Sequence, residues 1–155
     1  MATNSHVEGL GFSSSHLFSP LELVDRIPRS DAAANTVSES REIIENILTG
    51  QDERLMVVTG PCSIHDEEAA LDYARRLIDL RSKLGDKMYV VMRVYFEKPR
   101  TTVGWKGFIN DPSLDESYNI PEGLSKARRL LQEINDMGMP AASEFLDPVV
   151  PHYIE

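Results

Sequence analysis

Short apolar runs alternate with amphipathic segments of helical period from residue 55 onward. Leu55 to Val58 is a continuous, Val-rich run, as expected of a strand buried on both faces. From about Glu67 to Leu84, Ala70, Tyr73, Ala74, Leu77, Leu80 and Leu84 recur at helical spacing, while Arg75, Arg76, Asp79 and Lys83 fall between them; Gly85 follows. Met88 to Tyr95 is a second β-branched run, and Pro121 to Met137 is a second amphipathic helix (Leu124, Ala127, Leu131, Ile134) closed by Gly138. Ala141 to Phe145 reads as a weaker third strand, and Val149 to Glu155 as the opening of another helix.

Alternating strands and helices of this kind imply a parallel sheet with helical crossovers, an α/β fold. Three strands make an unfinished sheet, because a parallel sheet is covered on both faces. A (β/α)8 TIM barrel takes about 250 residues. On that reading the 155-residue chain is the N-terminal part of a barrel: about three βα units behind a helical extension.

The organisation expected from this pattern has three parts. Residues 1–18, rich in Ser, Gly and His, read as a flexible arm. Residues 19–50 form an N-terminal helical extension: one or two turns over Pro20 to Ile27, ended by Pro28, then a longer helix from about Asp31 to Leu48. Ser30 or Asp31 would cap that helix, Val37, Ile43, Ile44, Ile47 and Leu48 would supply its apolar contacts, and Gly50 would stop it. Residues 51–155 would be the first βα units of the incomplete barrel.

A net charge of −9 argues against a nucleic-acid or anionic-membrane partner, since those surfaces select a basic footprint. No apolar run approaches the roughly 18–20 residues of a membrane span, and the N-terminus lacks the order of a signal peptide. A cytoplasmic location is expected. The single cysteine, Cys62, fits a reducing compartment.

In parallel α/β folds the working groups gather at the C-terminal ends of strands. That rule selects the segment Gly60 to His65, Arg93 with the loop that follows, and Glu144. Cys62 follows a Gly-Pro turn; a thiolate there could hold a borderline or soft divalent metal or act as a nucleophile, and a lone cysteine also serves as a small buried hydrophobe. His65 invites a metal reading or a structural one. The stretch Phe96 to Gly107 concentrates positive charge, hydroxyls and glycines in an acidic chain, as a phosphate or carboxylate site requires; a solvated basic loop is the alternative. Trp105 reads as a packing anchor. Glu144 could orient a water, balance the positive cluster or pair with Arg93.

Gly60-Pro-Cys-Ser-Ile-His65, the string from Arg93 through Lys98-Pro-Arg-Thr-Thr to Gly107, Ile109-Asn-Asp-Pro112, and Ala33-Ala-Asn-Thr-Val37 together resemble type I DAHP synthase, the 3-deoxy-D-arabino-heptulosonate-7-phosphate synthases. The likeness runs from about Pro20 to the end. It implies a (β/α)8 barrel that condenses phosphoenolpyruvate with erythrose 4-phosphate, at the head of the shikimate route to aromatic amino acids, with a divalent metal ion (Mn, Fe, Co or Zn). Carried over by motif, Cys62 would be a metal ligand, Arg93 would hold phosphoenolpyruvate, and Arg100 with Thr101 would grip erythrose 4-phosphate. Lys98, beside Pro99, would lie between the substrates as proton donor to the aldehyde oxygen. Glu144 joins Pro99 among the expected substrate contacts.

The family's remaining ligands, a His, a Glu and an Asp, come from later strands, so the resemblance implies that this stretch alone is inactive. It also implies a homo-oligomer and inhibition by an aromatic amino acid near Asp147 to His152 and the N-terminal arm. A different class of reading is a non-catalytic partial barrel that acts as an anion-binding or assembly module. A related synthase uses arabinose 5-phosphate, but the Lys98-Pro-Arg-Thr-Thr string favours erythrose 4-phosphate.

Overall fold

The computed structural model describes residues 16–99 and 102–155. The short helix α1 spans Pro20–Arg26 and begins with a full capping box: Glu22 N–H donates to Ser19 Oγ, and the Glu22 carboxylate accepts from Ser19 N–H. Helix α2 spans Asp31–Leu48 with Ser30 as N-cap, and Gly50 follows it in the left-handed region at φ 74°. Strand β1 is Leu55–Thr59. Helix α3, Glu67–Leu84, is capped by Asp66, whose carboxylate accepts from Ala69 N–H. Strand β2 is Met88–Arg93, α4 is Ile120–Asp136, β3 is only Ala141–Ala142, and α5 is Pro151–Ile154.

The three strands pair in parallel in the order β1-β2-β3, with Leu55 opposite Met88 and Met92 opposite Ala141. Central β2 is the buried one. Val90, Met92 and Val94 join Ala70, Ala74 and Leu77 of α3 and Leu124, Ala127 and Ile134 of α4 in the core. Tyr89, on the alternate parity, hydrogen-bonds through its hydroxyl to Ser40 of α2 at 2.8 Å.

Three expectations about burial fail. β1 is not covered on both faces: Leu55 is 61% and Val58 46% exposed, because β1 is a sheet edge among the described residues. Leu48 and Leu80, counted on the apolar faces of their helices, are 73% and 44% exposed; α2 buries Ala33 and Ser40 instead, and α3 buries its small residues Ala70 and Ala74 with Leu77. The third strand stops at Ala142, leaving Phe145 exposed in a loop. Phe18, the last residue of the expected arm, is buried, with its ring edge-on to Tyr153 and its carbonyl accepting from the Tyr153 hydroxyl at 2.8 Å.

Candidate functional site

β1 and β2 end side by side. Their outgoing segments are pressed together at Gly60, where an added Cβ would lie 2.3 Å from the Arg93 carbonyl oxygen. Ile64 N–H then donates to the Tyr95 carbonyl at 2.7 Å, binding the two loops to each other. The loop after β2 folds back on itself: Glu97 and Gly107 form an antiparallel bridge, Phe108 N–H donates to Phe96, and Lys98 N–H to Lys106. Gly107 adopts φ 113° because a side chain there would meet the Phe96 carbonyl at 2.4 Å. Trp105 anchors the turn, donating its indole N–H to the Asp111 carbonyl at 2.8 Å while packing on the core.

This scaffold brings Cys62, Arg93 and Lys98 together. Lys98 Nζ donates to Cys62 Sγ at 2.9 Å. The ammonium, by that hydrogen bond and by its charge, holds the exposed thiol below its ordinary value, and Arg93 adds to the effect. Arg93 Nη1 donates to the Pro61 carbonyl at 2.7 Å, and its Cζ lies 3.8 Å from the centre of the Tyr95 ring. Among the described residues no carboxylate pairs with Arg93 or Lys98. A low-pKa thiol, an ammonium and an un-neutralised guanidinium on one face suit an anionic ligand.

Of the other expected residues, Pro99 is exposed at the tip of the described segment, while Arg100 and Thr101 lie outside the described residues. Glu144 does not pair with Arg93. It is exposed in the loop after β3, and its charge raises the pKa of Glu97, behind burial and Asp147. His65 is exposed and joins no cluster: no three His, Cys, Asp or Glu side chains among the described residues converge as a metal site. The Cys62 thiolate suits a borderline divalent ion, but one thiolate does not hold one.

The sequence reading passed over Tyr95 and Glu97. Their signal was spacing, since Arg93, Tyr95 and Glu97 are two apart on extended chain and share a side of it. Glu97 Oε2 is buried without a hydrogen-bond partner among the described residues, and Oε1 receives only a long contact from Asn110. Elsewhere, a largely apolar cavity of about 340 Å³ lies among α2, α4 and β3, lined by Ala33, Val37, Ile44, Val91, Leu131 and Ala142, and none of the described candidate residues Cys62, Arg93, Lys98, Pro99 and Glu144 lines it.

Residues 31–155 match the family model described as the DAHP synthetase I family. The chain belongs to the DAHP synthetase I family. It is 57% identical over 138 residues to the Phe-sensitive phospho-2-dehydro-3-deoxyheptonate aldolase of Escherichia coli K12, an alignment covering 89% of this chain and 39% of that protein. The Tyr-sensitive aldolase of the same name from Salmonella typhimurium LT2 is 54% identical, with the same coverage. The solved structure of phospho-2-dehydro-3-deoxyheptonate aldolase from Francisella tularensis SCHU S4 superposes with a TM-score of 0.87 at 50% identity, covering 91% of this chain and 41% of that one. The chain therefore spans about two fifths of the length of the aldolases it matches here. Among the described residues of this DAHP synthetase family chain, no helix is long and apolar enough to cross a membrane.

Proposed function

We propose that this protein contributes the first βα units of a (β/α)8 barrel that condenses phosphoenolpyruvate with D-erythrose 4-phosphate and consumes one water, giving 3-deoxy-D-arabino-heptulosonate 7-phosphate and phosphate. This transferase step opens the shikimate route to aromatic amino acids, in the cytoplasm. Residues 51–155 belong to the barrel, 19–50 form a helical extension, and 1–18 form an arm. The carrying observation is the Lys98 ammonium on the Cys62 thiol beside Arg93, where the first two strands end.

Arg93 holds phosphoenolpyruvate through its free in-plane N–H groups, and Arg100 with Thr101 grips the phosphate of erythrose 4-phosphate. Lys98, flanked by Pro99, sits between them and protonates the aldehyde oxygen as the carbon–carbon bond forms. Glu144 lies at the mouth and balances the positive groups. Cys62 is one ligand of a divalent metal ion (Mn, Fe, Co or Zn) whose other ligands come from segments beyond the described residues; when bound, such an ion polarises a carbonyl as a Lewis acid. The clustered cations hold two anions together against their repulsion. The whole protein is a homo-oligomer, and it is inhibited by an aromatic amino acid; relatives named Phe-sensitive and Tyr-sensitive support the inhibition.

The test follows phosphate released from phosphoenolpyruvate on adding erythrose 4-phosphate and Mn²⁺. In the whole, full-length protein, Arg100→Ala should raise the KM for erythrose 4-phosphate far more than that for phosphoenolpyruvate; equal increases sink the division of labour. Cys62→Ser should remove activity and metal dependence together. A second reading, a non-catalytic anion-binding or assembly module, draws on the exposed β1 edge. It predicts phosphoenolpyruvate binding and self-association without turnover.

A further inference from the structure

Arg93 is held from two directions by groups that leave its charge intact. In its plane, Nη1 donates to the Pro61 carbonyl at 2.7 Å. Across its face, the guanidinium carbon lies 3.8 Å from the centroid of the Tyr95 ring, a stacking distance. No carboxylate among the described residues forms an ion pair with it. Arg93 is half-buried, and the acidic group it faces is the Cys62 thiol, whose pKa it helps to lower. Its remaining N–H groups therefore have no carboxylate among the described residues competing for them.

Tyr95 is itself fixed. Its carbonyl accepts from Ile64 N–H at 2.7 Å, and neighbouring Val94 and Phe96 are 0% and 1% exposed in the core. The residues on either side anchor the backbone and so fix where the half-buried ring is attached, with its face on Arg93. Aromatic stacking leaves the guanidinium's edge N–H groups free, and it removes rotamer freedom that an anion would otherwise have to quench on binding.

We propose that Tyr95 is a positioning residue for the anion site: its ring face, together with the Pro61 carbonyl, presets the Arg93 guanidinium as a fork for the oxyanion of phosphoenolpyruvate. This rests on the reading of Arg93 as the phosphoenolpyruvate-binding arginine. The ring acts through its π face and not its hydroxyl, so Tyr95→Phe binds as the parent does. Tyr95→Leu and Tyr95→Met, which keep bulk and lose the face, bind phosphoenolpyruvate roughly 2- to 30-fold more weakly.

The experiment is calorimetric titration of phosphoenolpyruvate, with inorganic phosphate as a second probe, into the full chain carrying each substitution. Phenylalanine analogues of rising fluorination at position 95 complete the series, since fluorine drains the ring quadrupole at nearly constant shape. Affinity that falls stepwise with fluorination while Tm stays constant supports the proposal, because a packing role would not follow the quadrupole. Should Tyr95→Leu fail to fold, the near-isosteric fluorinated series decides. A flat response across that series, with Arg93→Ala still deleterious, overturns the role of Tyr95 and leaves the anion site standing. If Arg93→Ala binds like the parent, or the parent binds neither probe, the anion site falls and the proposal with it.

Discussion

Glu97 and Lys98 are neighbours in sequence and occupy opposite electrostatic surroundings. Burial, then the charge of Asp147, pushes the Glu97 carboxyl above its ordinary value of 4.5. A carboxyl with a raised folded-state pKa binds its proton more readily folded than unfolded. Its contribution to stability is therefore present below pH 4.5 and is lost as pH rises through the raised folded value. Glu97→Gln should thus raise Tm near pH 7 and flatten the decline, as thermal unfolding across that window would show; curves that stay parallel count against it. At Cys62 the sign is reversed, because the Lys98 ammonium favours the thiolate. With chelator present, alkylation by iodoacetamide should titrate below the ordinary thiol value of 9.0, and Lys98→Met should move the midpoint back up. Strand ends pick out Cys62 and Arg93 in the sequence, and the charged loop string picks out Lys98; the fold brings the three side chains together. The orphaned carboxylate of Glu97 was not, since which side chains close over it depends on the path of a loop that turns at Gly107.

At the scale of elements, caps made the helices legible. Ser30 and Gly50 mark α2 to within a residue or two, because a side-chain oxygen and a left-handed glycine satisfy groups at defined positions, and Gly85 marks the end of α3; the Asp66 cap of α3 was missed. Strands were harder. An apolar run gives the strand's tendency but not its neighbours, so β1, expected to be covered, is an edge among the described residues, and β3 is shorter than its apolar run suggests. Close approaches between elements leave no pattern in the chain at all. Gly123 sits in the first turns of α4, where a Cβ would lie 2.0 Å from the Ile109 carbonyl oxygen. Replacing glycine by alanine inside an unencumbered helix gains up to about 1 kcal/mol. Gly123→Ala should instead lose about 1–3 kcal/mol by overpacking, seen as a lower urea midpoint at unchanged m.

For the whole molecule, the α/β class and, over residues 31–155, the family were legible, since alternating periodicity and the Lys98-Pro-Arg-Thr-Thr string need no three-dimensional information. What joins α1 to α5 was not. Arg128 of α4 is 5% exposed and donates to the main-chain oxygens of Ile27, Tyr153 and Glu155. Ile27 lies 101 positions before it and Glu155 27 after it. One side chain thus closes α1 and α5 over the same buried cation, and peeling either helix away strands a charge that water has not yet reached. The two helices should open as a single cooperative unit. In native-state hydrogen exchange, amides near Ile27 and Tyr153 should share one opening free energy, and Arg128→Met should accelerate both together while leaving β2 slow. Loosening of α1 is then felt at α5, so an early fluctuation among the described residues is a paired release of these two helices around a central strand that stays shut.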